Sequence, residues 1–363
     1  KLGTNLPTRP LDSIKELRVG TYNILNLYEH VGKYVPGSGR GGALIKISDR
    51  KPKEVQRRKE AAKAILENNL DILILQEVET ITALTNFSKE RLKDQYVPFL
   101  IEGNDVRGID VAFLIKKDIP FDIEHRTHKN ELWQDPLYPG EPRSLFSRDL
   151  PSLIVRSQGR AKPIAIIFGT HFKSKRTRDE RDPQSRILRQ AQVERSAQII
   201  ERYRKEFGAD APLLLAGDFN GSLNSEPEFR TLFKDAGFVD SFDASPVPTP
   251  PQERITYSYF PAGQPPEYSQ IDAILISGAL QGTVENAKVY RYRDANGNVR
   301  ALPKNHKERN ENPSDHFPVI VRFDFPKILT HWRKEIMGSM PDLTQAYSVP
   351  MPEENKPVSS QDL

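Results

Sequence analysis

The chain has 363 residues, of which 37% are hydrophobic and 28% are charged, so it is long enough to bury a large core as one or two domains. It contains no cysteine, which excludes disulfides, thiolate zinc sites and cysteine nucleophiles. No apolar run reaches the roughly eighteen residues that a membrane-spanning helix needs, so no membrane span is expected. The formal net charge of +4 fits an anionic partner but is too small to identify one.

Short apolar segments recur along the chain and predict β-strands. Most of them are apolar at consecutive positions, which favours strands that are covered on both faces. A stripe in residues 193–207 repeats at helical spacing, and residues 225–228 have the pattern of a capping box that opens a short helix. Helix–strand units before Glu77 and Asp218 predict α/β layering. The strand segments are 17–24, 70–75, 109–115, 163–168, 212–216, 271–276 and 318–323.

Three stretches between these segments are interpreted as insertions, namely residues 29–53, 125–160 and 245–266. The third is dense in proline and predicts a long loop. The chain begins at Lys1, as a trimmed or export-processed form would, which favours a secreted or periplasmic protein over a cytoplasmic one.

A short polar motif accompanies each predicted strand. Any one of these motifs is weak evidence, but as an ordered set they indicate loops that converge at one edge of a β-sheet core. Together they describe one site for cleaving phosphodiesters. The motifs are Thr21-Tyr22-Asn23, Leu75-Gln76-Glu77, Gly108-Ile109-Asp110, Gly169-Thr170-His171, Gly217-Asp218-Phe219-Asn220, Gln270-Ile271-Asp272 and Ser314-Asp315-His316.

Carboxylates and amides at the strand ends supply the chemistry of such a site. Asp218 and Asn220 are two residues apart, so in an extended segment both side chains face the same way. A carboxylate there can deprotonate a water, and the amide can hold a phosphate oxygen; an Asx turn is the structural alternative. Glu77 follows an apolar strand, where its charge is costly unless a cation meets it. Mg²⁺ or Mn²⁺ is the natural partner, and Asn23 offers a neutral oxygen or a strand-end cap.

Two histidines border apolar strands beside acidic residues. His171 and His316 can donate hydrogen bonds to a phosphate oxygen as negative charge develops. A carboxylate such as Asp272, if it contacts a ring nitrogen, would fix the tautomer and raise the pKa of that imidazole. One histidine alone is more often structural, and the acidic motifs shift the interpretation toward catalysis.

In this order the motifs resemble the endonuclease/exonuclease/phosphatase superfamily of deoxyribonuclease I-like proteins, most closely a bacterial nuclease-type member. The superfamily includes pancreatic deoxyribonuclease, abasic-site endonucleases, inositol polyphosphate 5-phosphatases and neutral sphingomyelinases. The resemblance implies a four-layer α/β sandwich, in which two mixed β-sheets pack face to face with helices outside. It covers the catalytic domain (17–325), which leaves an N-terminal extension (1–16) and a C-terminal extension (326–363), and the polar, proline-rich residues 350–363 of the latter predict a disordered tail.

The same resemblance implies a metal centre. Glu77 and Asn23 would hold the catalytic Mg²⁺ (or Mn²⁺), with Asp315 beside the ion. Some relatives carry an acidic residue two positions after the first-strand asparagine, where this chain has Leu25, which counts against a two-metal site.

The resemblance also implies roles around the phosphate. Asp218 would position the attacking water and take its proton. Asn220, His171 and His316 would contact the scissile phosphate, and Asp272 would pair with one of the histidines. The division of Asp272 and Asp315 between histidine support and metal binding varies across the superfamily.

A nucleic acid is the first candidate substrate, and a monomeric nuclease acting on DNA, or on RNA, is expected. A basic run follows His171, where phosphates on either side of the cut would lie, although a solvated loop is an equal alternative. Arg107 can add positive charge beside Asp110, or it can form a salt bridge with Asp105 or Asp110. The substrate-binding candidates are Arg107, Asp110, Lys173, Lys175, Arg176 and Arg178.

Two other interpretations stay open. A phosphatase or lipid phosphodiesterase would use residues 132–138, with Trp133 and Tyr138, as an aromatic tip that docks on a membrane. A catalytically inactive nucleic-acid-binding module on the same fold would require the loss of polar site residues, and all of them are present.

Overall fold

The computed structural model describes residues 8–29, 34–36, 44–46, 51–158, 160–177 and 179–330. Short 3-10 helices lie at Leu11–Ser13, Pro183–Ser185, Pro227–Phe229 and Pro251–Glu253. The helices and strands, in chain order, are β1 (Glu16–Leu27), β2 (Tyr34–Pro36), β3 (Leu44–Lys46), α1 (Val55–Glu67), β4 (Ile72–Val78), α2 (Ile81–Arg91), β5 (Tyr96–Leu100), β6 (Asp110–Lys116), β7 (Phe121–Arg126), β8 (Leu132–Trp133), β9 (Arg143–Ser144), β10 (Ser152–Ser157), β11 (Ala165–His171), α3 (Arg186–Phe207), β12 (Leu213–Asp218), α4 (Arg230–Lys234), β13 (Val239–Asp240), α5 (Ser241–Ala244), β14 (Tyr257–Tyr259), β15 (Glu267–Ser269), β16 (Asp272–Ile276), α6 (Gly278–Gln281), β17 (Val284–Val289), α7 (His306–Asn310) and β18 (Val319–Asp324).

Two six-stranded mixed sheets form the centre of the molecule. The first has the strand order β17-β18-β1-β4-β6-β5, and the second has the order β13-β16-β12-β11-β10-β7. In each sheet the middle pair is parallel, β1 with β4 and β11 with β12, and every other pair is antiparallel. The predicted sandwich of two mixed sheets with helices outside is confirmed.

Apolar side chains fill the space between the sheets and the space under the helices. Ile74 and Phe113 of the first sheet share one buried cluster with Ile167 and Leu214 of the second. A second cluster lies between α3 and the outer face of the second sheet, and a third lies under α1 and α2. Both sheets are therefore covered on both faces, which explains why their strands read as continuous apolar runs.

Helix α3 confirms the predicted stripe, but the predicted capping box is wrong. The short helix does form, as a 3-10 turn followed by α4, and its N-cap is Glu226 without a side-chain cap hydrogen bond. Glu226 instead accepts a hydrogen bond from Ser222 N, and Glu228 is buried against the guanidinium of Arg189. Ion pairing thus takes the carboxylate that the capping box would have used.

Two of the three interpreted insertions contain more regular structure than expected. The stretch 125–160 includes β10, which lies inside the second sheet between β7 and β11, so this stretch is not an insertion. The stretch 245–266 is mostly loop, as predicted, but it contributes β14, which pairs with β15. Within the stretch 29–53 the structure describes the β2–β3 pair and residues 51–53, and the predicted disordered tail lies outside the described residues.

The central strands of both sheets end at the same edge, which brings the polar motifs together. The backbone register pairs His171 with Asp218, and Asp218 with Asp272. Gly217 has φ +152°, and a Cβ there would lie 1.9 Å from Thr170 O, so only glycine fits before the Asp218 motif. Four non-glycine residues in or just after the central strands have left-handed φ, a strain that concentrates at functional sites. They are Leu25, Asn26, Glu77 and Asn220.

Candidate active site

A polar cleft of about 960 Å³ opens at this shared edge. Most of the residues predicted from the motifs line it, and Asn23 and Asp272 are buried next to lining residues. Asp110 and Lys173 are not among its lining residues. The predicted residues that line the cleft are Glu77, Arg107, His171, Lys175, Arg176, Asp218, Asn220, Asp315 and His316.

Asp218 is the centre of the arrangement and is 1% exposed. Its Oδ2 accepts a hydrogen bond from Asn23 Nδ2 at 3.0 Å and lies 3.4 Å from His171 Nε2 and 3.7 Å from His316 Nε2. Its Oδ1 accepts a hydrogen bond from Asn220 N. Burial raises the pKa of Asp218 to about 7, with His316 opposing the shift and Asp272 adding to it. A carboxylate with this pKa can take a proton near neutral pH.

His316 is held by a carboxylate from the neighbouring strand. Its Nδ1 lies 2.8 Å from Asp272 Oδ2, and Asp272 N donates to Thr256 Oγ1. Burial by itself lowers the pKa of His316, but Asp272 and Asp218 outweigh burial and raise it well above its usual value. The imidazole is therefore held in its cationic form, with Nε2 directed at Asp218.

His171 lies on the other side of Asp218 in the opposite protonation state. Burial lowers its pKa well below the usual value, and Arg148 and Arg107 reinforce the shift. Its buried Nδ1 has no hydrogen-bond partner within the described part of the chain. Asp218 is thus flanked by one neutral and one protonated imidazole, an asymmetry typical of acid–base sites.

Glu77 and Asp315 form the acidic side of the cleft. Glu77 accepts hydrogen bonds from Asn23 Nδ2 and Asn26 N, both uncharged, and no salt bridge of Glu77 is seen among the described residues. Asp315 Oδ1 is buried without a hydrogen-bond partner in the same part of the chain, and it lies 4.0 Å from His316 Nε2. Carboxylates with so few cationic contacts fit a hard divalent ion. Asn23 Oδ1 accepts from Leu25 N, so only its second lone pair is available to a metal.

Lys53 is a site residue that sequence reasoning missed. Its Nζ donates to Leu25 O at 3.0 Å and to Pro313 O at 2.7 Å, and the residue is 6% exposed. Burial lowers the pKa of Lys53 to about 8, with Arg57 adding to the shift and Glu77 and Asp315 opposing it. One ammonium group thus joins two segments that carry predicted metal ligands.

Lys53→Met is expected to lower the free energy of unfolding by about 2 kcal/mol, because two buried carbonyls lose their donor. Lys53→Arg should lose less, since a guanidinium can still donate to both carbonyls. Urea unfolding of the three proteins checks this. Equal stability of wild type and Lys53→Met would show that the bridge contributes nothing.

Arg148 is the second missed residue, and it explains part of the environment of Arg107. Arg148 is 3% exposed, and it donates to the carbonyl oxygens of His171 and Phe172. Asp105 joins the two arginines, at 3.3 Å from Arg148 and 3.1 Å from Arg107. The predicted alternative of a salt bridge to Asp105 is therefore present, and Arg107 still lines the cleft.

The basic run after His171 is held by internal contacts. Lys175 Nζ is 2.6 Å from Glu226 Oε1, and Lys173 Nζ donates to Arg176 O at 3.4 Å. Arg176 lines the cleft and is exposed. Arg178 lies outside the described residues. Part of the charge of this run is thus neutralised at Glu226 before any substrate binds.

Asp110 is turned toward the backbone. It is 4% exposed, and its Oδ1 accepts a hydrogen bond from Gly103 N at 2.8 Å. Burial raises the pKa of Asp110 to about 7, and the Gly103 hydrogen bond opposes the shift. Because the folded state holds this proton more tightly than the unfolded state, wild-type stability falls as pH rises from about 4 to 7.

Asp110→Asn is expected to remove this loss, so relative to wild type it should gain about 2 to 4 kcal/mol between pH 4 and pH 8. Denaturant unfolding at both pH values is the measurement. The same pH dependence in both proteins would contradict the buried proton, and a raised KM without a stability change would favour the predicted substrate contact.

The aromatic tip predicted for membrane docking, residues 132–138, is partly covered by the rest of the protein. Trp133 is half-buried, packs against the cluster under α3, and lies 5.3 Å beneath the guanidinium of Arg143. Tyr138 is 40% exposed, but it bonds to Asp179 and is covered by Arg181 at 4.4 Å. Trp133 is therefore partly covered, and Tyr138 is held against Asp179 and Arg181. In the described ranges, no helix is long and apolar enough to cross a bilayer.

The sequence matches one known protein family over most of its length. The family model for the Endonuclease/Exonuclease/phosphatase family matches residues 20–316. The chain belongs to this family, whose members are generally metal-dependent phosphodiester hydrolases. No curated protein matches the chain significantly in sequence.

Solved structures share the fold at low sequence identity. Truncated Caenorhabditis elegans TDP2 has 20% identity and a TM-score of 0.54, covering 85% of this chain and 98% of its own. D. rerio TDP2 complexed with single strand DNA product has 17% identity and a TM-score of 0.53, covering 85% and 99%. The human Nocturnin catalytic domain with bound sulfate anion has 16% identity and a TM-score of 0.51, covering 85% and 94%.

Proposed function

We propose that this chain is a divalent-metal-dependent phosphodiesterase that hydrolyses nucleic acid through the cleft at the shared sheet edge. The observation that carries this proposal is the placement of Asp218 within 3.7 Å of two buried imidazoles, with opposite pKa shifts on the two rings. Residues 17–325 would form the catalytic domain, since β1 begins at Glu16 and β18 ends at Asp324.

Glu77 and Asp315 would hold the metal through their carboxylates, and Asn23 would complete the set as its neutral member. Mg²⁺ or Mn²⁺ suits these oxygen donors. When bound, the ion would polarise a phosphate oxygen and offset the charge that develops there. Asn23 also donates to both Glu77 and Asp218, so it sets the spacing between the metal side and the acid–base side.

Asp218 would take the proton of the attacking water, in line with the leaving oxygen. His316 would donate from Nε2 to a phosphate oxygen, with Asp272 fixing its orientation through Nδ1. Neutral His171 would hydrogen-bond to the phosphate without adding a charge. Asn220 donates to Phe172 O and has a left-handed φ, so its amide is fixed at the cleft floor.

Asp218, Asp272 and His316 present an alternative cation site, because one ligand atom from each lies within 4.8 Å of the others. Asp272 Oδ2 bonds to His316 and Asp218 Oδ2 accepts from Asn23, while Asp272 Oδ1, like Asp315 Oδ1, has no hydrogen-bond partner among the described residues. We therefore assign the three residues to proton transfer and phosphate binding. Glu77, whose carboxylate accepts only from the uncharged Asn23 Nδ2 and Asn26 N, favours the acidic side for the metal.

Nucleic acid is the substrate class that the cleft favours. Arg107, Arg148, Lys175 and Arg176 line one side of the cleft, where their positive charge suits a chain of phosphates, with Arg107 and Arg148 sharing Asp105 and Lys175 paired with Glu226. The D. rerio TDP2 structure holds a single strand DNA product on the same fold. The test is a substrate panel with Mg²⁺, comprising plasmid, linear duplex, single strands, sphingomyelin and inositol phosphates. Cleavage of nucleic acid alone is expected, and turnover confined to a lipid or inositol phosphate would overturn the assignment.

The salt dependence of nucleic-acid binding tests the basic run. Neutralising Lys173, Lys175, Arg176 and Arg178 together is expected to flatten the slope of log K against log salt by about 1 to 2. Four phosphate contacts would give about 3 to 4 on a duplex, but Lys175 is already paired with Glu226 and Lys173 donates to the Arg176 carbonyl, so about two contacts are expected to contribute. Neutralising Arg202 on α3, which pairs with Glu131, is the matched control. An unchanged slope in the fourfold variant would identify the run as a solvated loop.

A further inference from the structure

One wall of the cleft is aromatic, and the proposed chemistry does not use it. The wall is the tyrosine hairpin, defined here as residues 256–269, which contains β14 and β15. Tyr257, Tyr259 and Tyr268 all line the cleft, the first two from one face of the hairpin and Tyr268, which pairs with Ser258, from the other face. Tyr259 is 45% exposed and Tyr268 is 38% exposed. Large aromatic side chains left open beside a polar site indicate a surface that binds a flat partner.

The tyrosine hairpin begins at the catalytic centre. Tyr257 forms an isolated backbone bridge with His316, and the two rings lie 5.0 Å apart. Thr256 Oγ1 accepts hydrogen bonds from Ile271 N and Asp272 N. The position of the tyrosines is therefore tied to the residues that would contact the scissile phosphate.

Contacts on its outer side make the hairpin a fixed surface. Tyr268 donates through its hydroxyl to Pro303 O at 3.0 Å, and Arg309 donates to Ser258 O at 3.2 Å. The guanidinium of Arg309 also lies 5.4 Å from the ring of Phe260. Binding of a ligand to a rigid wall of this kind loses little conformational entropy.

Tyr257 and Tyr259 are two residues apart on one strand, so their side chains leave the same face. The strand rise separates their backbone positions by about 6.7 Å. Stacked bases lie about 3.4 Å apart, so two rings held at this backbone spacing would accept one base between them. We propose that the tyrosine hairpin is a subsite for an unpaired nucleobase next to the scissile phosphate, and that the enzyme acts on single-stranded nucleic acid. This inference rests on the proposed function.

The surroundings of the hairpin fit a base better than a lipid or a duplex. Glu267 and Ser269 lie opposite Tyr259 and Tyr257 in the β14–β15 register, and they place polar groups where the edge of a base would lie. A lipid chain would meet these polar groups. Bases inside a duplex have their faces covered, whereas an unpaired base exposes them for stacking.

Equilibrium binding of labelled oligonucleotides tests the proposal. Fluorescence anisotropy on the Glu77→Gln background measures binding without turnover. Tyr259→Ala is expected to weaken binding of a short single strand by about 5- to 150-fold, the range for loss of one stacked base. Tyr259→Phe should bind like the parent because it keeps the ring. Thermal melting of each variant checks that the fold is intact.

An oligonucleotide with an abasic spacer at the nucleotide next to the cut separates stacking from other effects. On this strand Tyr259→Ala should cause almost no further loss, because the base that would stack is missing. Equal losses on normal and abasic strands, or equal losses on single strand and duplex, would overturn the proposal. So would unchanged binding by Tyr259→Ala.

Hydrolysis of a small artificial phosphodiester by the wild type distinguishes this failure from failure of the proposed function. If the wild type hydrolyses the small diester and binds oligonucleotides without any effect of Tyr259, only the base subsite is wrong. If it neither hydrolyses the diester with Mg²⁺ or Mn²⁺ nor binds any oligonucleotide, the proposed function is wrong as well.

Discussion

Glu77→Gln is expected to abolish turnover while leaving the fold intact. The change removes one charge from the acidic side of the cleft and keeps the shape of the side chain. The glutamine can still accept from Asn26 N, so the local backbone should not move. Loss of a metal-ligand charge weakens divalent-cation binding, so titration with Mn²⁺ should show lower affinity in parallel with the loss of kcat.

Glu79→Gln is the matched control for this variant. Glu79 is two residues further along, is 4% exposed, and accepts a hydrogen bond from Glu29 N without lining the cleft. Its amide variant should keep wild-type kcat and Mn²⁺ affinity. If both variants lose activity equally, the loss reports general damage at the end of β4, and Glu77 has no special role.

Asp218→Asn and His316→Ala are each expected to lower kcat by about two orders of magnitude or more. Asparagine at 218 can still accept from Asn220 N but cannot take a proton from water. Alanine at 316 removes the protonated donor and leaves Asp272 without its partner. KM should change much less than kcat, because both residues act mainly on the transition state.

Asp240→Asn is the control for the effect of substituting a buried carboxylate. Asp240 is 1% exposed, like Asp218, but its carboxylate accepts from Phe242 N and Gln270 Nε2, and neither Asp240 nor these two residues line the cleft. Its variant should keep kcat within a few-fold of wild type. A near-wild-type kcat in Asp218→Asn or His316→Ala would remove the role assigned to that residue.

Much of the fold followed from local sequence patterns. The predicted strand segments all form strands because continuous apolar runs are buried on both faces of the two sheets. The convergence of the motifs was also predictable, since polar residues that end neighbouring strands share one edge. The pairing of Asp272 with His316 settles, in this structure, which carboxylate contacts that imidazole.

Several of the missed features depend on contacts between distant parts of the chain, whereas strands β5 and β10 were missed although each carries a short apolar run. Strand β7 and edge strand β17 mix polar with apolar residues, so neither shows a buried run. Lys53 acquires its role from Pro313, which is 260 residues away, and no local pattern marks that contact. The tyrosine hairpin lies mostly in a stretch whose prolines indicated only a loop. Its strand β14 forms by pairing with residues 267–269, outside that stretch.

Metal dependence of nucleic-acid cleavage by the wild-type protein tests the central claim most directly. Protein stripped of metal should not cleave a labelled single strand in EDTA, and added Mg²⁺ or Mn²⁺ should restore cleavage. The recovered cleavage rate should increase with the fraction of protein that has bound metal, and Glu77→Gln should need more metal to reach the same fraction. Cleavage that continues undiminished in the chelator would contradict the metal site at Glu77 and Asp315, and with it the proposed phosphodiesterase.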